Sequence, residues 1–84
     1  MRENANGGFR CLLMIFMPVY YVNKNPQRNG DHEVHKDGCT YMPRTEHRFF
    51  LGLHTHCQAA VTESKKHYTQ SNGCFSCSYE CHTS

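Results

Sequence analysis

Cys74-Phe75-Ser76-Cys77 is the strongest local motif in the sequence, and the fold is predicted to depend on it. Two residues between the cysteines allow both thiolates to reach one metal ion across a tight turn, at about 2.3 Å each for zinc. A tetrahedral structural zinc needs two further ligands. The motif therefore predicts half of a metal site and directs attention to the remaining cysteines and histidines.

The segment 35–39, His-Lys-Asp-Gly-Cys, supplies the second pair of donors. Its Asp-Gly dipeptide predicts a turn, so His35 at a strand end and Cys39 after the turn can face one ion. The 34 residues between Cys39 and Cys74 leave room for a strand and a helix. The predicted ligands of one structural Zn²⁺ are His35, Cys39, Cys74 and Cys77. The competing interpretation is that His35 is an ordinary strand-face histidine and Cys39 a small buried residue.

Cys57 and Cys81 are two further candidates. Either could replace a member of the predicted ligand set, or the two could pack as thiols or form a disulfide. Cys57 fits best as a core residue on a helix stripe. Two other classes stay open, namely a thiol-redox or metal-handling protein that uses Cys74 and Cys77 as reactive thiols, and a secreted protein stapled by disulfides.

Length and composition restrict the protein to a small module. Six cysteines and seven histidines stand in a chain of 84 residues, which can form one domain with a thin core. The net charge of +2 gives no strong field to attract nucleic acid or acidic lipid. The longest apolar run, residues 12–17, falls short of the roughly 20 residues that a membrane span needs. No small-residue cleavage site follows it, so a cytoplasmic protein is expected, with secretion as the alternative.

Three segments have the composition of β-strands: Val19–Asn23, Asp31–Lys36 and Arg48–Leu53. An Asn-Gly dipeptide at 29–30 closes the loop between the first two, which predicts an antiparallel hairpin. Alternation along the second strand places Val34 on one face and Glu33 with His35 on the other. The phenylalanines and leucines of the third strand are expected to supply core.

One helix is predicted, starting at Thr55, which forms a capping box with Gln58. Its apolar stripe consists of Cys57, Ala60, Val61, Ser64 and Tyr68. The segment 71–73, Ser-Asn-Gly, is typical of a helix end. The order of elements predicts an α+β fold with a small three-stranded antiparallel sheet, one helix and a C-terminal cysteine knuckle.

These motifs together resemble a group of small bacterial cysteine-rich proteins that carry no established activity. The matching stretches are Gly30–His35 with Cys39, Phe50–Gly52, Cys57 with Ala60-Val61, Lys65-Lys66, and Asn72–Cys77. The chain is also similar, more distantly, to the metal-binding module of DNA-alkylation-repair regulators and to cysteine-rich modules appended to some secreted nucleases. The resemblance covers about residues 19–82 and implies the same four ligands. The additional Cys57 and Cys81, and the lack of flanking basic residues, depart from the nucleic-acid-associated versions.

The expected function is interaction with a protein or a nucleic acid. A Ser-His-Asp arrangement, paired carboxylates or a Gly-rich phosphate loop cannot be assembled from this sequence. The protein is therefore not expected to be an enzyme.

Residues 1–16 are expected to be a disordered or non-core extension of a module that spans residues 17–84. Residues up to Arg10 lack periodicity, and Pro18 separates the apolar run from the first strand. A chain that starts at Met17 should keep the amide NMR spectrum and the melting temperature of the full chain. Loss of the folded spectrum would instead place residues 12–16 in the core.

Overall fold

The computed structural model describes residues 17–83, so the predicted extension of residues 1–16 lies outside the described residues. The strands are β1 (Val19–Asn23), β2 (His32–Lys36), β3 (Arg48–Leu53) and β4 (Ser71–Gly73). One α-helix within the described range, α1, spans Cys57–Ser64, and two 3-10 helices span Thr45–His47 and Tyr79–Cys81. The predicted α+β class is confirmed.

The sheet is four-stranded and mixed, in the order β3-β1-β2-β4. β1 pairs antiparallel with β2, as the hairpin prediction requires, and also with β3. β4 runs parallel to β2. The prediction of a three-stranded antiparallel sheet is therefore wrong in the number of strands and in the direction of the fourth.

The segment 71–73 forms β4 and does not end a helix. α1 already ends at Ser64, and a turn over residues 65–67 brings the chain back beside the edge of β2. There the Cys74 N–H donates to the Val34 carbonyl over 2.9 Å. The N–H and C=O groups on the free edge of β2 need hydrogen-bond partners, because buried backbone groups must be paired. Residues 71–73 provide these partners when they are extended.

The register of the hairpin separates a core face from an outer face. Val22 lies opposite Val34, and both side chains are fully buried. Tyr21 lies opposite His35, so these two project from the other face, because directly opposed residues share a face. Glu33 and His35 are nevertheless only 8% and 1% exposed. The outer face of β2 thus carries two buried polar side chains that need partners.

The hydrophobic core lies between α1 and the sheet, and consists of Tyr20, Val22, Val34, Leu51, Cys57, Ala60 and Val61. It includes most of the predicted helix stripe, and Tyr68 packs against it. The expectation that the third strand supplies core is confirmed for Leu51 and wrong for Phe50, which is 60% exposed. Phe50 is exposed because it lies opposite Tyr21, on the outer face of the sheet. Beyond it the pairing with β1 is irregular, since Leu51 has no strand partner and Gly52 takes a φ of +97°.

His56 caps α1, one residue later than the predicted Thr55. The Nδ1 atom of His56 accepts the Gln58 N–H over 3.1 Å, which satisfies a donor that the first helical turn leaves unpaired. Cys57, the first residue of the helix, is bonded to Cys81 in a disulfide. The start of the helix is thereby attached to the second 3-10 helix.

Asp31 holds the segment that leads into β4 through side-chain hydrogen bonds. Its carboxylate accepts hydrogen bonds from Gln70 Nε2 over 2.9 Å and from Asn72 Nδ2 over 3.1 Å, and also from Asn29. The hydrogen bond from Gln70, followed by that from Asn72, lowers the pKa of Asp31. Because the folded pKa lies below the unfolded one, these contacts stabilise the fold above about pH 4 and are lost as the pH falls through the folded pKa.

Replacement of this carboxylate should reduce stability at neutral pH. We expect Asp31→Ala to lower the free energy of unfolding by about 1 kcal/mol at pH 7, a modest value because the carboxylate is partly exposed. The difference from the parent chain should shrink at pH 3 in urea denaturation. Asp37→Ala, at an exposed turn position, is the control. An Asp31→Ala chain with the parent's midpoint at pH 7 would contradict this assignment.

Candidate metal centre

One nitrogen of His35 and the sulfurs of Cys39, Cys74 and Cys77 lie within 4.8 Å of one another. Cys39 Sγ is 3.9 Å from Cys74 Sγ, and Cys77 Sγ is 3.9 Å from His35 Nδ1. A tetrahedral zinc ion with bonds of 2.0–2.3 Å places two sulfurs about 3.8 Å apart and a sulfur and a nitrogen about 3.6 Å apart. The structure thus brings together the four residues that the sequence pairs, at separations that suit one ion.

β2 and the turn after it position the first two donors. His35 is the penultimate residue of β2, and its register opposite Tyr21 directs the imidazole to the outer face. The chain then turns at Gly38, which has a φ of +91°, a conformation that glycine adopts at little cost. The Cys39 N–H donates to the Lys36 carbonyl over 3.0 Å. The turn therefore returns Cys39 to the end of the strand that carries His35.

The other two donors follow β4 directly. Cys74 is fully buried, and its carbonyl accepts the Ser78 N–H over 3.0 Å, which closes the knuckle. Backbone N–H groups also point at the sulfurs: Ser76 N–H lies 3.4 Å from Cys74 Sγ, and Lys36 N–H lies 3.2 Å from Cys77 Sγ. Because N–H groups stabilise negative charge, the knuckle suits metal-bound thiolates.

Burial shifts the pKa values of these donors toward their neutral forms. Burial raises the pKa of the Cys74 and Cys77 thiols. Burial also lowers the pKa of His35 to about 4, so its imidazole is neutral at pH 7. Metal binding would therefore displace protons from the thiols but not from His35, and an ion would supply the positive charge that stabilises the thiolates.

Glu33 is a residue of the centre that the sequence analysis did not assign. Its Oε1 lies 3.7 Å from His35 Nε2, which has no hydrogen-bond partner among residues 17–83. A ligating histidine commonly directs its second nitrogen at a carboxylate, which fixes the ring. Burial raises the pKa of Glu33. The strand alternation already placed Glu33 beside His35, and this was the available signal.

Cys57 and Cys81 stand outside this cluster because they are bonded to each other. Of the alternatives left open by the sequence, the disulfide is the one that the structure has. Cys57 is also part of the hydrophobic core, as its place on the helix stripe predicts. His56 lies close to this pair and forms a second cluster with it.

A cavity of about 610 Å³ adjoins both cysteine groups. Its lining includes Tyr20, Lys36 and Cys77 as well as His56, Cys57 and Glu80. The half-buried Cys77 is the member of the first cluster that borders this space. Solvent and small ligands therefore have a route to the edge of the first cluster and to the disulfide.

No family model matches this chain, and neither a curated protein nor a solved structure is significantly similar to it. Within residues 17–83, no helix combines the length and the apolar character needed to cross a membrane.

Gly73 is required for the close approach of the knuckle to β4. A Cβ atom at this position would lie 2.7 Å from the Ser78 carbonyl oxygen and 2.8 Å from Cys81 Cβ. Since a backbone atom must shift to admit it, Gly73→Ala should lower the free energy of unfolding by about 2 kcal/mol and weaken metal binding by displacing Cys74. Urea denaturation and a zinc competition titration measure the two effects. A free energy of unfolding and a zinc affinity equal to those of the parent would show that the knuckle accommodates the extra methyl group and would contradict this prediction.

Proposed function

We propose that this chain is a small interaction module whose fold is held by one structural zinc ion, bound by His35, Cys39, Cys74 and Cys77, and that it carries no catalytic activity of its own. The observation that carries the proposal is the convergence of four donors from two distant segments, within 4.8 Å of one another. Three sulfurs and one imidazole are a donor set that selects zinc among the common divalent ions.

The burial of the centre supports a structural role for the ion. His35 and Cys74 are almost inaccessible, and four protein donors would complete a tetrahedral shell around an ion. Catalytic zinc sites instead keep one position open for water or substrate. A closed shell leaves the ion to link β2 and its turn with the segment that follows β4.

A metal crosslink would also compensate for the limited stability that a small core provides. Among residues 17–83, seven residues form the buried apolar cluster, and two of them are the small side chains Cys57 and Ala60. Structural zinc contributes on the order of 10 kcal/mol to the folding of small domains at neutral pH. The ion would therefore supply a large share of the free energy that holds the sheet edge and the knuckle together.

Exposed aromatic side chains beside the centre support an interaction role. Phe75, inside the knuckle, packs against Tyr41 at a ring-centroid distance of 5.4 Å, and both rings are more than half exposed. Solvent-exposed aromatic side chains are common at binding interfaces. With a net charge of only +2, such a surface suits a protein partner better than nucleic acid.

The thiol-redox alternative is less well supported. A reactive cysteine has a lowered pKa and an accessible sulfur, for example at a helix N-terminus. Cys74 lacks both properties, because its sulfur is fully buried and burial raises the pKa of its thiol. Cys74 and Cys77 also follow a strand and not the start of a helix.

Zinc content and its removal test the proposal. The purified chain should bind one zinc ion by native mass spectrometry, and Co²⁺ in its place should give the absorption bands of tetrahedral thiolate coordination. Cys74→Ser and Cys77→Ser should each weaken binding by on the order of 100-fold or more and abolish cooperative unfolding, because a hydroxyl is a poor zinc ligand.

His47→Ala is the matched control, since His47 is exposed and lies outside the cluster. It should bind zinc with the parent's affinity. A chain that carries no metal and stays folded in excess chelator would overturn the proposal.

A further inference from the structure

We infer that His56, Cys57 and Cys81 form a second metal site, which binds a thiophilic divalent ion such as Zn²⁺ when the Cys57–Cys81 disulfide is reduced. This site is separate from the first cluster and does not depend on the function proposed above. The ion would take the place of the disulfide as the link between the start of α1 and the second 3-10 helix.

The donor atoms are already close together. One ring nitrogen of His56 and the sulfurs of Cys57 and Cys81 lie within 4.8 Å of one another. His56 Nδ1 is 3.8 Å from Cys57 Sγ, near the roughly 3.6 Å that two ligands of a tetrahedral zinc require. Once the sulfur–sulfur bond is broken, the sulfurs have only to separate to about 3.8 Å to share an ion.

His56 offers Nδ1 as the ligand atom, and an ion bound there would displace the Gln58 N–H from the single lone pair of Nδ1. The Gln58 N–H donates to Nδ1, which means that in the neutral ring Nδ1 carries the lone pair and Nε2 the proton. Nε2 then donates to Glu80 Oε1 over 2.8 Å. This is the carboxylate–histidine arrangement that orients metal-bound imidazoles. The 3-10 helix thus provides one ligand, Cys81, and positions another through Glu80.

The reduction step balances with an external dithiol as reductant. The dithiol transfers two electrons and two protons to the Cys57–Cys81 bond and becomes a cyclic disulfide, which leaves two protein thiols. Each thiol loses its proton to the buffer when its sulfur binds the ion. Cys57 stands in the first turn of α1, where the helix dipole stabilises a thiolate.

The fold keeps Cys81 in place after the disulfide opens. Thr83 N–H donates to Asn72 Oδ1 over 2.9 Å, and His82 Nδ1 lies 2.9 Å from the Gly73 carbonyl, so that the segment stays attached to β4. The cavity borders His56, Cys57 and Glu80, which gives the reductant access and leaves a fourth ligand position for water. This open position should make the second site weaker than the first.

The number of zinc ions bound by the full chain in its two redox states tests the inference. The chain is reduced with a dithiol, freed of reductant under argon, and titrated with Zn²⁺ against a chromophoric chelator, with native mass spectrometry to count ions. If the first site binds as proposed, the oxidised chain should bind one ion and the reduced chain two. The double variant Cys57→Ser/Cys81→Ser should bind one under both conditions.

His56→Asn separates ligation from helix capping, because asparagine caps a helix well but lacks the imidazole. It should weaken the second site at least tenfold and leave the first unchanged, whereas the control His47→Ala should change neither. The same ion count before and after reduction would overturn the inference, as would unfolding of the reduced chain in excess zinc. One ion bound by the reduced chain alone, and lost in His56→Asn, would support it while contradicting the first site.

Discussion

The parallel pairing of β4 with β2 is the constraint on which the candidate metal centre depends. Three backbone positions are matched, from His32 with Ser71 to Val34 with Gly73, and the next donor, Cys74 N–H, extends the ladder. Cys74 is thereby set beside the strand that carries His35. A shift of one residue would turn Cys74 away, because side chains alternate between the faces of a strand. The four candidate ligands are brought together by the register of this short edge pairing.

Two groups of cysteines lie on either side of the sheet, one a disulfide and the other a cluster that could bind a metal. The disulfide between Cys57 and Cys81 joins α1 to the second 3-10 helix on the core side of the sheet. The cluster that contains His35 and Cys74 brings the end of β2 close to the knuckle. The disulfide can be opened by a reductant, whereas the four donors of the cluster could hold a metal ion.

Part of the candidate centre could be predicted because it depends on patterns between residues that are close in the sequence. Strand alternation placed Glu33 and His35 on one face, and the turn after β2 allowed Cys39 to return to His35. The two-residue spacing of Cys74 and Cys77 made them a pair. These inferences hold because spacing and backbone preference act within a few residues, whatever the rest of the chain does.

The sequence by itself thus determined the donor pairs, the hairpin and the helix stripe. Tertiary structure alone decided that residues 71–73 pair with β2, that Cys57 bonds Cys81, and that Phe50 stays exposed. The physical reason is that these contacts join residues far apart in the sequence. A three-residue strand and a disulfide across 24 positions carry no local pattern, since both follow from which distant backbone edge or sulfur the fold brings alongside.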